Sequence, residues 1–341
     1  MENRDEKFIS YALNLAKKNI GITAPNPTVV CVIVKDNQII STGITAKNGR
    51  PHAEKIAIEN ISNKKTLEDA EIYITLEPCS HFGETSPCAD EIIKYKFKKV
   101  VIATLDPDQR VNGNGLKKIQ EAGINVVFPV LEKAAQEINR GFFKAKKTGL
   151  PFVTLKLATS LDGKIATKNF DSKWITSEKA REFSHLLRAK NDVILVGANT
   201  VRQDNPSLDC RILGLQDYSP QPVIISNKND FDPELKIFSK QKKSPIILKG
   251  TPENILKKLC LDGFNSVLIE GGKNIATQFL QENLVDELVW IRNKKIIGSD
   301  GISAIGEMGF SSISQILDNF IRIEIRELKE DLIEIYQINS R

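Results

Sequence analysis

The sequence predicts an α/β protein built as two domains. Three observations carry that reading. β-Rich runs alternate with segments of helical spacing along the whole chain. A length of 341 residues suits two separate cores. The stretch "KKTGLP" breaks the alternation near mid-chain with a glycine and a proline, and reads as a linker. The domains are therefore expected at residues 1–147 and 148–341.

The elements follow in order. "TVVCVIVKD" and "QIISTGI" are two strands joined by a turn at Asp36-Asn37. "HAEKIAIENI" has helical spacing, and "AEIYITLE" is a β-rich run. "SPCADEIIKYK" opens like a helix, with Ser86 as its cap and Pro87 in the first helical position. "KKVVIATLD" is a buried-type strand, "GLKKIQEAG" a helix ending in glycine, and "INVVFPV" a further strand. One helix is expected from Glu132 to Lys146. Beyond the linker come the strand "FVTLKLATS" and a capped amphipathic helix, "SEKAREFSHLLRAK". Strands are predicted at "DVILVG", "PVIIS", "SPIIL", "SVLIE" and "ELVWIR", with the helix "KNIATQFLQEN" before the last of them. "RIEIRELKEDLIEIYQI" closes the chain as a hairpin.

Bulk properties exclude several classes of function. Hydrophobic residues make up 41% and charged residues 27% of the chain, as in ordinary globular proteins. The net charge of +5 is modest and the lysines are scattered, which argues against a nucleic-acid-binding tail. No apolar run approaches the roughly 18 residues of a membrane span. The opening "MENRDEKFIS" lacks the apolar core of a signal peptide. Five irregularly spaced cysteines do not make a disulfide framework, so a cytoplasmic location is expected.

The chemistry gathers at "PHAEKIAIEN" and "TLEPCSHFGETSPCADEII". His52, Cys79 and Cys88 form a ligand set that zinc accepts in catalytic sites, with a fourth position left for water. A lone histidine or cysteine is usually structural. Three together, each at a strand end or helix start, are a different matter. Glu54 stands two residues after His52. On a regular helix that step turns about 200°, so the two side chains converge only at a helix start, as Pro51 permits. Cys88 falls in a first turn, where the helix dipole favours its thiolate. H-x-E, then P-C, then a last cysteine is the pattern of zinc deaminases, with the glutamate as acid/base and not a ligand. Here the cysteines are spaced C-x8-C, unlike the C-x2-C of nucleic-acid base deaminases. Gly43 and Gly49 are expected to shape the approach to the site.

"APNPTVVCVIVKD", "GRPHAE" and "TLEPCSHFGETSPC" resemble the deaminase domain of the bifunctional riboflavin-biosynthesis deaminase–reductases. The likeness runs on through "LDPDQRVNGNGLKKIQEAGI" and into the second half. It implies a cytidine-deaminase-like α/β/α zinc domain in which Asn26 and His81 help bind the pyrimidine or its sugar phosphate. Taken alone, Asn26 between two prolines reads as a turn residue. The chain departs from the family pattern at Val30, where a glycine is usual, at Thr45, where a histidine is frequent, and at Ser86, where a proline is usual.

The second half lacks the glycine-rich dinucleotide fingerprint; Gly271-Gly272 before a helix is a weaker phosphate signal. "LKLATSLDGKIAT", "SKWITSEKAR", "LLRAKNDVILVGANTVRQDNPSLDCR" and "IEGGKNIATQF" resemble the reductase domain of the same family, whose fold is similar to dihydrofolate reductase. The resemblance implies that Ser172, Arg188, Leu208, Arg211 and Glu270 hold a ribose phosphate substrate. It places NADPH against Ala158, Trp174, Thr200, Asp204, Gly272, Lys273, Asn274, Ile275, Ala276, Thr277 and Gln278. Lys156 and Asp162 join that cluster without an assigned role. By spacing alone Arg188 is a solvated charge, Leu208 is core and Asp204 starts a turn. His185, Cys31, Cys210 and Cys260 read as structural.

Together these imply zinc-dependent deamination of 2,5-diamino-6-ribosylamino-4(3H)-pyrimidinone 5′-phosphate. NADPH then reduces the ribose of 5-amino-6-(5-phosphoribosylamino)uracil to a ribityl chain. The partners expected are a small phosphorylated pyrimidine and a second copy of the chain, met through the reductase domain. Nucleic acid and membrane are not expected. Two rivals are a nucleic-acid base deaminase, opposed by the long inter-cysteine loop, and a zinc-stabilised binding module, opposed by Glu54.

Overall fold

The structure is a computed structural model that describes residues 3–82, 86–240 and 242–338. The chain divides into two compact units, Met1–Gly149 and Leu150–Arg341.

The first unit opens with α1 (Arg4–Ala16), a helix that the sequence pattern does not predict. Asn3 and Glu6 close a capping box at its start. β1 (Val30–Lys35) and β2 (Gln38–Ile44) form the expected hairpin, with Asp36 and Asn37 both at positive φ. Then come α2 (Ala53–Glu59), β3 (Glu71–Ile74), α3 (Cys88–Lys94), β4 (Lys99–Ile102), α4 (Asn114–Glu121) and β5 (Asn125–Val127). Pro87, not Ser86, is the cap of α3, and Cys88 is its first residue.

The helix expected over Glu132–Lys146 is two helices, α5 (Glu132–Ile138) and α6 (Arg140–Thr148). The break is at buried Asn139. Its amide accepts from Thr28 N–H at 2.8 Å and donates to the Thr28 carbonyl at 3.0 Å. Side-chain competition of this kind is the ordinary reason asparagine interrupts a helix.

The sheet order is β2-β1-β3-β4-β5, with β3, β4 and β5 parallel. Alternating residues feed two cores. Cys31, Ile33, Ile72 and Ile74 face α2 and α3 residues such as Ala57, Ile58 and Ile92. Val30, Val32 and Tyr73 pack with Phe8, Ile9 and Leu13 of α1. The result is a three-layer α/β/α unit. Val30 is wholly buried in the α1 core, so its side chain is structural.

The second unit contains β6 (Phe152–Thr159), β7 (Lys164–Ala166), α7 (Glu178–Ala189), β8 (Val193–Gly197) and α8 (Ala198–Asp204). Next are β9 (Gln221–Ile225), α9 (Lys236–Ser239), β10 (Ile246–Leu248), α10 (Pro252–Leu261), β11 (Ser266–Ile269) and α11 (Lys273–Gln281). β12 (Glu287–Asn293), β13 (Ile302–Ser303), β14 (Phe320–Leu328) and β15 (Asp331–Ile338) complete it. The main sheet runs β10-β9-β8-β11-β6-β12-β15-β14, parallel as far as β12 and antiparallel beyond.

The connections set the ligand crevice. From β6 the chain passes over to β8, then β9 and β10; from β11 it crosses β6 the other way to reach β12. Where parallel connections diverge in this manner, the carboxyl ends of the strands leave an open cleft. Helices α10 and α11 pack with Val153, Leu155 and Val267 on one face. On the other face, Val201 of α8 packs with Ile194 and Leu268, and Ala180 of α7 with Val289 and Ile291. No helix among the described residues is long and apolar enough to cross a membrane.

Candidate active sites

In the first unit β3 and α3 bring the cysteines to α2. His52 caps α2, Glu54 lies in its first turn, and Cys88 begins α3. His52 Nδ1 is 3.4 Å from Cys88 Sγ and 3.7 Å from Cys79 Sγ. Ligands held tetrahedrally by zinc, with bonds of about 2.3 Å to sulfur and 2.0 Å to nitrogen, stand about 3.5 Å apart. The donor set therefore fits the ion, and the three ligand atoms lie within 4.8 Å of one another. The Cys88 N–H donates to Cys79 Sγ at 3.3 Å. That bond, the Cys88 thiol and His52 outweigh burial and hold the Cys79 thiol at about 4, a thiolate at neutral pH. Glu54 is pushed up to about 7 by burial, against the attraction of His52.

His52, Cys79 and Glu54 open onto a cavity of about 440 Å³. Asn26 and His81 both line it. The Asn26 amide donates to the Gly49 carbonyl at 2.9 Å. Gly49 sits at φ +84°, and a Cβ there would come within 2.5 Å of the Asn26 side chain. Gly43 admits α2 against β2, since its Cβ would lie 2.0 Å from the Ala53 carbonyl oxygen. His81 Nδ1 is buried and lacks a hydrogen-bond partner among the described residues, which marks it for a ligand. Thr45 staples the wall by accepting the Val29 N–H at 2.9 Å.

Several cavity residues carried no assignment from the sequence. Asp106, Asp108 and Arg110 come from the loop after β4, and Lys146 comes from α6. Burial raises Asp106 to about 6. Glu77 fastens this loop. It accepts four backbone N–H groups, from Asp106 (3.2 Å), Gly113 (2.8 Å), Gly115 (2.9 Å) and Leu116 (3.1 Å). A Cβ at Gly115 would lie 2.1 Å from the Pro78 carbonyl oxygen, so the loop packs directly on the segment leading to Cys79. "LEPC" and "LDPDQRVNGNG" thus form one rigid piece. Lys146 carried no sequence signal that set it apart from the neighbouring lysines.

In the second unit Glu270 follows β11, at the crevice. Arg188 of α7 grips it with two bonds, Nε to Oε1 at 2.8 Å and Nη2 to Oε2 at 3.0 Å. Lys156 of β6 stands 3.5 Å from the same carboxylate. Burial alone would raise Glu270, but Arg188 and Lys156 hold it at about 2. Arg188 is therefore a buried, paired charge, and not the solvated one its helical spacing suggests. Its Nη1 also donates to the Asp209 carbonyl at 3.0 Å. The Asp209 carboxylate receives Arg211 at 3.2 Å, which ties Arg211 to the same group. Leu208 is core, against Ile194 and Val196.

The paired glycines also fit a cofactor. Gly271 and Gly272 lead into α11, and a Cβ at Gly271 would collide with Ile275 Cβ at 2.7 Å. The open side of Gly272 looks toward Thr200 Oγ1 at 3.5 Å. This leaves bare backbone at a helix N-terminus, the usual cradle for a phosphate. Ile275, Ala276 and Thr277 face inward, while Lys273, Asn274 and Gln278 are more open to solvent. Trp174 is 63% exposed beneath the Arg181 guanidinium, and its neighbour Lys173 acts by charge on Asp204. Ser172 lies in the same loop, and Ala158 lies near the end of β6. Asn205, at φ 42°, makes the expected turn after Asp204. Asp162 is committed to structure, accepting from the Ile297 and Gly298 N–H groups at 3.1 and 2.8 Å. His185 Nδ1 meets the Asp209 carbonyl, Cys31 and Cys210 are buried, and no disulfide joins the cysteines of the described residues.

Residues 151–334 match the family described as RibD C-terminal domain. Residues 2–104 match the cytidine and deoxycytidylate deaminase zinc-binding region. The riboflavin biosynthesis protein RibD of Aquifex aeolicus is 38% identical, over 98% of both chains. The chain belongs to the RibD family. The Escherichia coli RibD is 35% identical over 87% of this chain and 89% of its own. Solved structures of RibD agree in fold. A form from Acinetobacter baumannii gives a TM-score of 0.91 at 32% identity, covering 98% of this chain and 99% of that one. The Thermotoga maritima protein, a diaminohydroxyphosphoribosylaminopyrimidine deaminase/5-amino-6-(5-phosphoribosylamino)uracil reductase, gives 0.89 at 34% identity, covering 98% and 99%. RibD proteins join a deaminase domain to a reductase domain, and this chain is such a bifunctional enzyme. Its zinc-binding region carries the His52, Cys79 and Cys88 cluster.

Proposed function

We propose that the first unit deaminates 2,5-diamino-6-ribosylamino-4(3H)-pyrimidinone 5′-phosphate and that the second reduces the resulting 5-amino-6-(5-phosphoribosylamino)uracil with NADPH. The observation that carries this reading is a His52-Cys79-Cys88 ligand set whose His52 and Cys79 line one cavity together with the buried Glu54 and with His81, whose Nδ1 has no hydrogen-bond partner among the described residues. The Thermotoga maritima relative is named for the same two reactions.

His52, Cys79 and Cys88 would hold the zinc. When bound, zinc supplies Lewis acidity that makes water nucleophilic near neutral pH. Glu54 takes a proton from the water as its oxygen bonds to C2 of the pyrimidine. It passes that proton to the ring nitrogen and a later one to the departing amine. The C2–N bond breaks, ammonia leaves and a carbonyl remains. A divalent cation beside Glu54 draws its pKa down from the buried value, which favours the base form. Asn26 and His81 orient the ring, the latter through Nδ1.

In the second unit bound NADPH would supply a hydride for C1′ of the ribosylamino group; the C1′–ring oxygen bond breaks, and the oxygen takes up a proton to leave a ribityl chain. Gly272 through Gln278, Ala158, Trp174, Thr200 and Asp204 would line the cofactor site. Ser172, Arg188, Leu208, Arg211 and Glu270 would hold the ribose phosphate. Glu270 stays ionised because two cations flank it, so it accepts a hydrogen bond from a sugar hydroxyl. We also infer self-association through the second unit. Ile321, Ile323 and Ile325 support it, each about half exposed on the edge strand β14. A cytoplasmic location agrees with the absence of disulfides among the described residues.

The test is incubation with the diaminopyrimidine phosphate, with and without NADPH, followed by mass spectrometry. Without NADPH the product should exchange an amine for an oxygen; with NADPH it should also gain two hydrogens. Glu54→Gln should lower deamination by about 10²- to 10⁴-fold while retaining zinc. Zinc-loaded protein that releases no ammonia would refute the reading.

A further inference from the structure

We propose that Arg110 and Lys146, held side by side by Asp108, clamp the substrate's phosphate in the deaminase cavity. The inference rests on the reading that this cavity takes a phosphorylated pyrimidine.

The cations come from two different elements and meet on one carboxylate. Arg110 donates to Asp108 through Nε at 2.9 Å and Nη2 at 2.7 Å. Lys146 Nζ stands 3.0 Å from Asp108 Oδ2. Its ammonium also lies 5.6 Å from the Phe142 ring centroid, and Phe142 lines the same cavity. The Asp108 side chain is 12% exposed, while those of Arg110 and Lys146 are 66% and 35% exposed. The carboxylate is thus the buried post and the cations are the accessible face. Among the described residues Arg110 keeps Nη1, and Lys146 further ammonium protons, for a second anion.

The position suits a phosphate and not the reacting ring. The loop after β4 and helix α6 carry none of the three metal ligands. Arg50, the other arginine of the cavity, acts by charge on His52 and so sits on the metal side. The phosphate is separated from the pyrimidine by a whole ribose, so it needs cations elsewhere in the pocket. Preorganisation is built in: Glu77 fastens the Arg110 loop with four backbone bonds, and Asp108 N–H is fixed to Asp106 Oδ1 at 2.8 Å. Cations already ordered lose little entropy on binding.

The experiment compares two substrates on the full-length, zinc-loaded enzyme: the diaminopyrimidine riboside phosphate and the same compound after phosphatase treatment. The wild type should prefer the phosphorylated form. Arg110→Gln and Lys146→Gln should each raise KM for it about tenfold or more, leaving kcat and the riboside KM nearly unchanged. Inorganic phosphate should compete with the phosphorylated substrate in the wild type and lose that effect in the double variant. Lys146→Arg should restore most of the preference. If both KM values rise together, or if the preference survives the double variant, the clamp is refuted while the deaminase reading stands. If the wild type releases ammonia from neither compound, that reading fails and the clamp with it.

Discussion

Individual residues here acquire chemistry from what surrounds them. Glu54 and Glu270 are both carboxylates out of bulk water, and their neighbours send them in opposite directions. Burial raises Glu54 to about 7. Arg188 and Lys156 hold Glu270 at about 2 in spite of burial. The second case makes a prediction about stability. Because the folded value of Glu270 is depressed, its contribution is fully present above about 4.5, the ordinary glutamate value, and is lost as pH falls through about 2. Glu270→Gln leaves Arg188 and Lys156 without their counter-ion and should cost the second unit about 3–5 kcal/mol. Urea unfolding followed at Trp174 and Trp290, the two tryptophans, reads that unit alone, since both lie in it. The difference between wild type and variant should shrink steadily as acid is added toward pH 2. A difference independent of pH would show that the carboxylate is not ionised in the folded protein.

At the scale of elements, the break between α5 and α6 shows one residue shaping a wall. Asn139 satisfies both backbone groups of Thr28, just ahead of β1, and so anchors the segment that carries Asn26. Asn139→Ala would leave a buried N–H and a buried C=O unpaired, at a cost of about 1–3 kcal/mol to the first unit. A lowered urea midpoint with an unchanged slope, followed by far-UV circular dichroism, is the expected result. An unmoved midpoint would mean that water replaces the amide. The sequence could not foretell this break. "EKAAQEI" and "FFKAKK" have good helical composition, Asn139 and Gly141 between them are only weak breakers, and the competing partner lies 111 residues away. Most strands were legible because their runs are apolar and bounded by turn residues, as "DVILVG" and "SVLIE" are. The short helices α8 and α10 were not, since their capping groups Gly197 and Thr251 stand in stretches that also read as loops. The His52, Cys79 and Cys88 cluster was readable because scarce residue types stand at marked positions. The Asp106–Arg110 loop was not, because charged loop residues are ordinarily solvated, and only the packing at Gly115 and Glu77 turns this one inward.

Over the whole molecule, the two chemistries draw on separate sets of residues. His52, Cys79 and Cys88, with Glu54, Arg110 and Lys146, all belong to the first unit. Lys156, Arg188, Glu270 and the Gly271-Gly272 cradle belong to the second, which has its own core around Leu155, Val267 and Phe279. The charges that set Glu270 are its immediate neighbours and none is a metal ligand. Removing zinc with a strong chelator should therefore stop ammonia release from the diaminopyrimidine phosphate. NADPH oxidation with the already deaminated product should proceed at its former rate. Two parallel assays on one chelated sample make the comparison, with zinc content measured in the same tube. Restoring zinc should return the first activity and leave the second unmoved. The thiols matter to the outcome: without the ion, Cys79 is the thiolate of the pair, so a reductant must be present to keep oxidation from blocking reconstitution. A reductase rate that falls in step with zinc content, while circular dichroism stays constant, would mean that the metal centre governs both units.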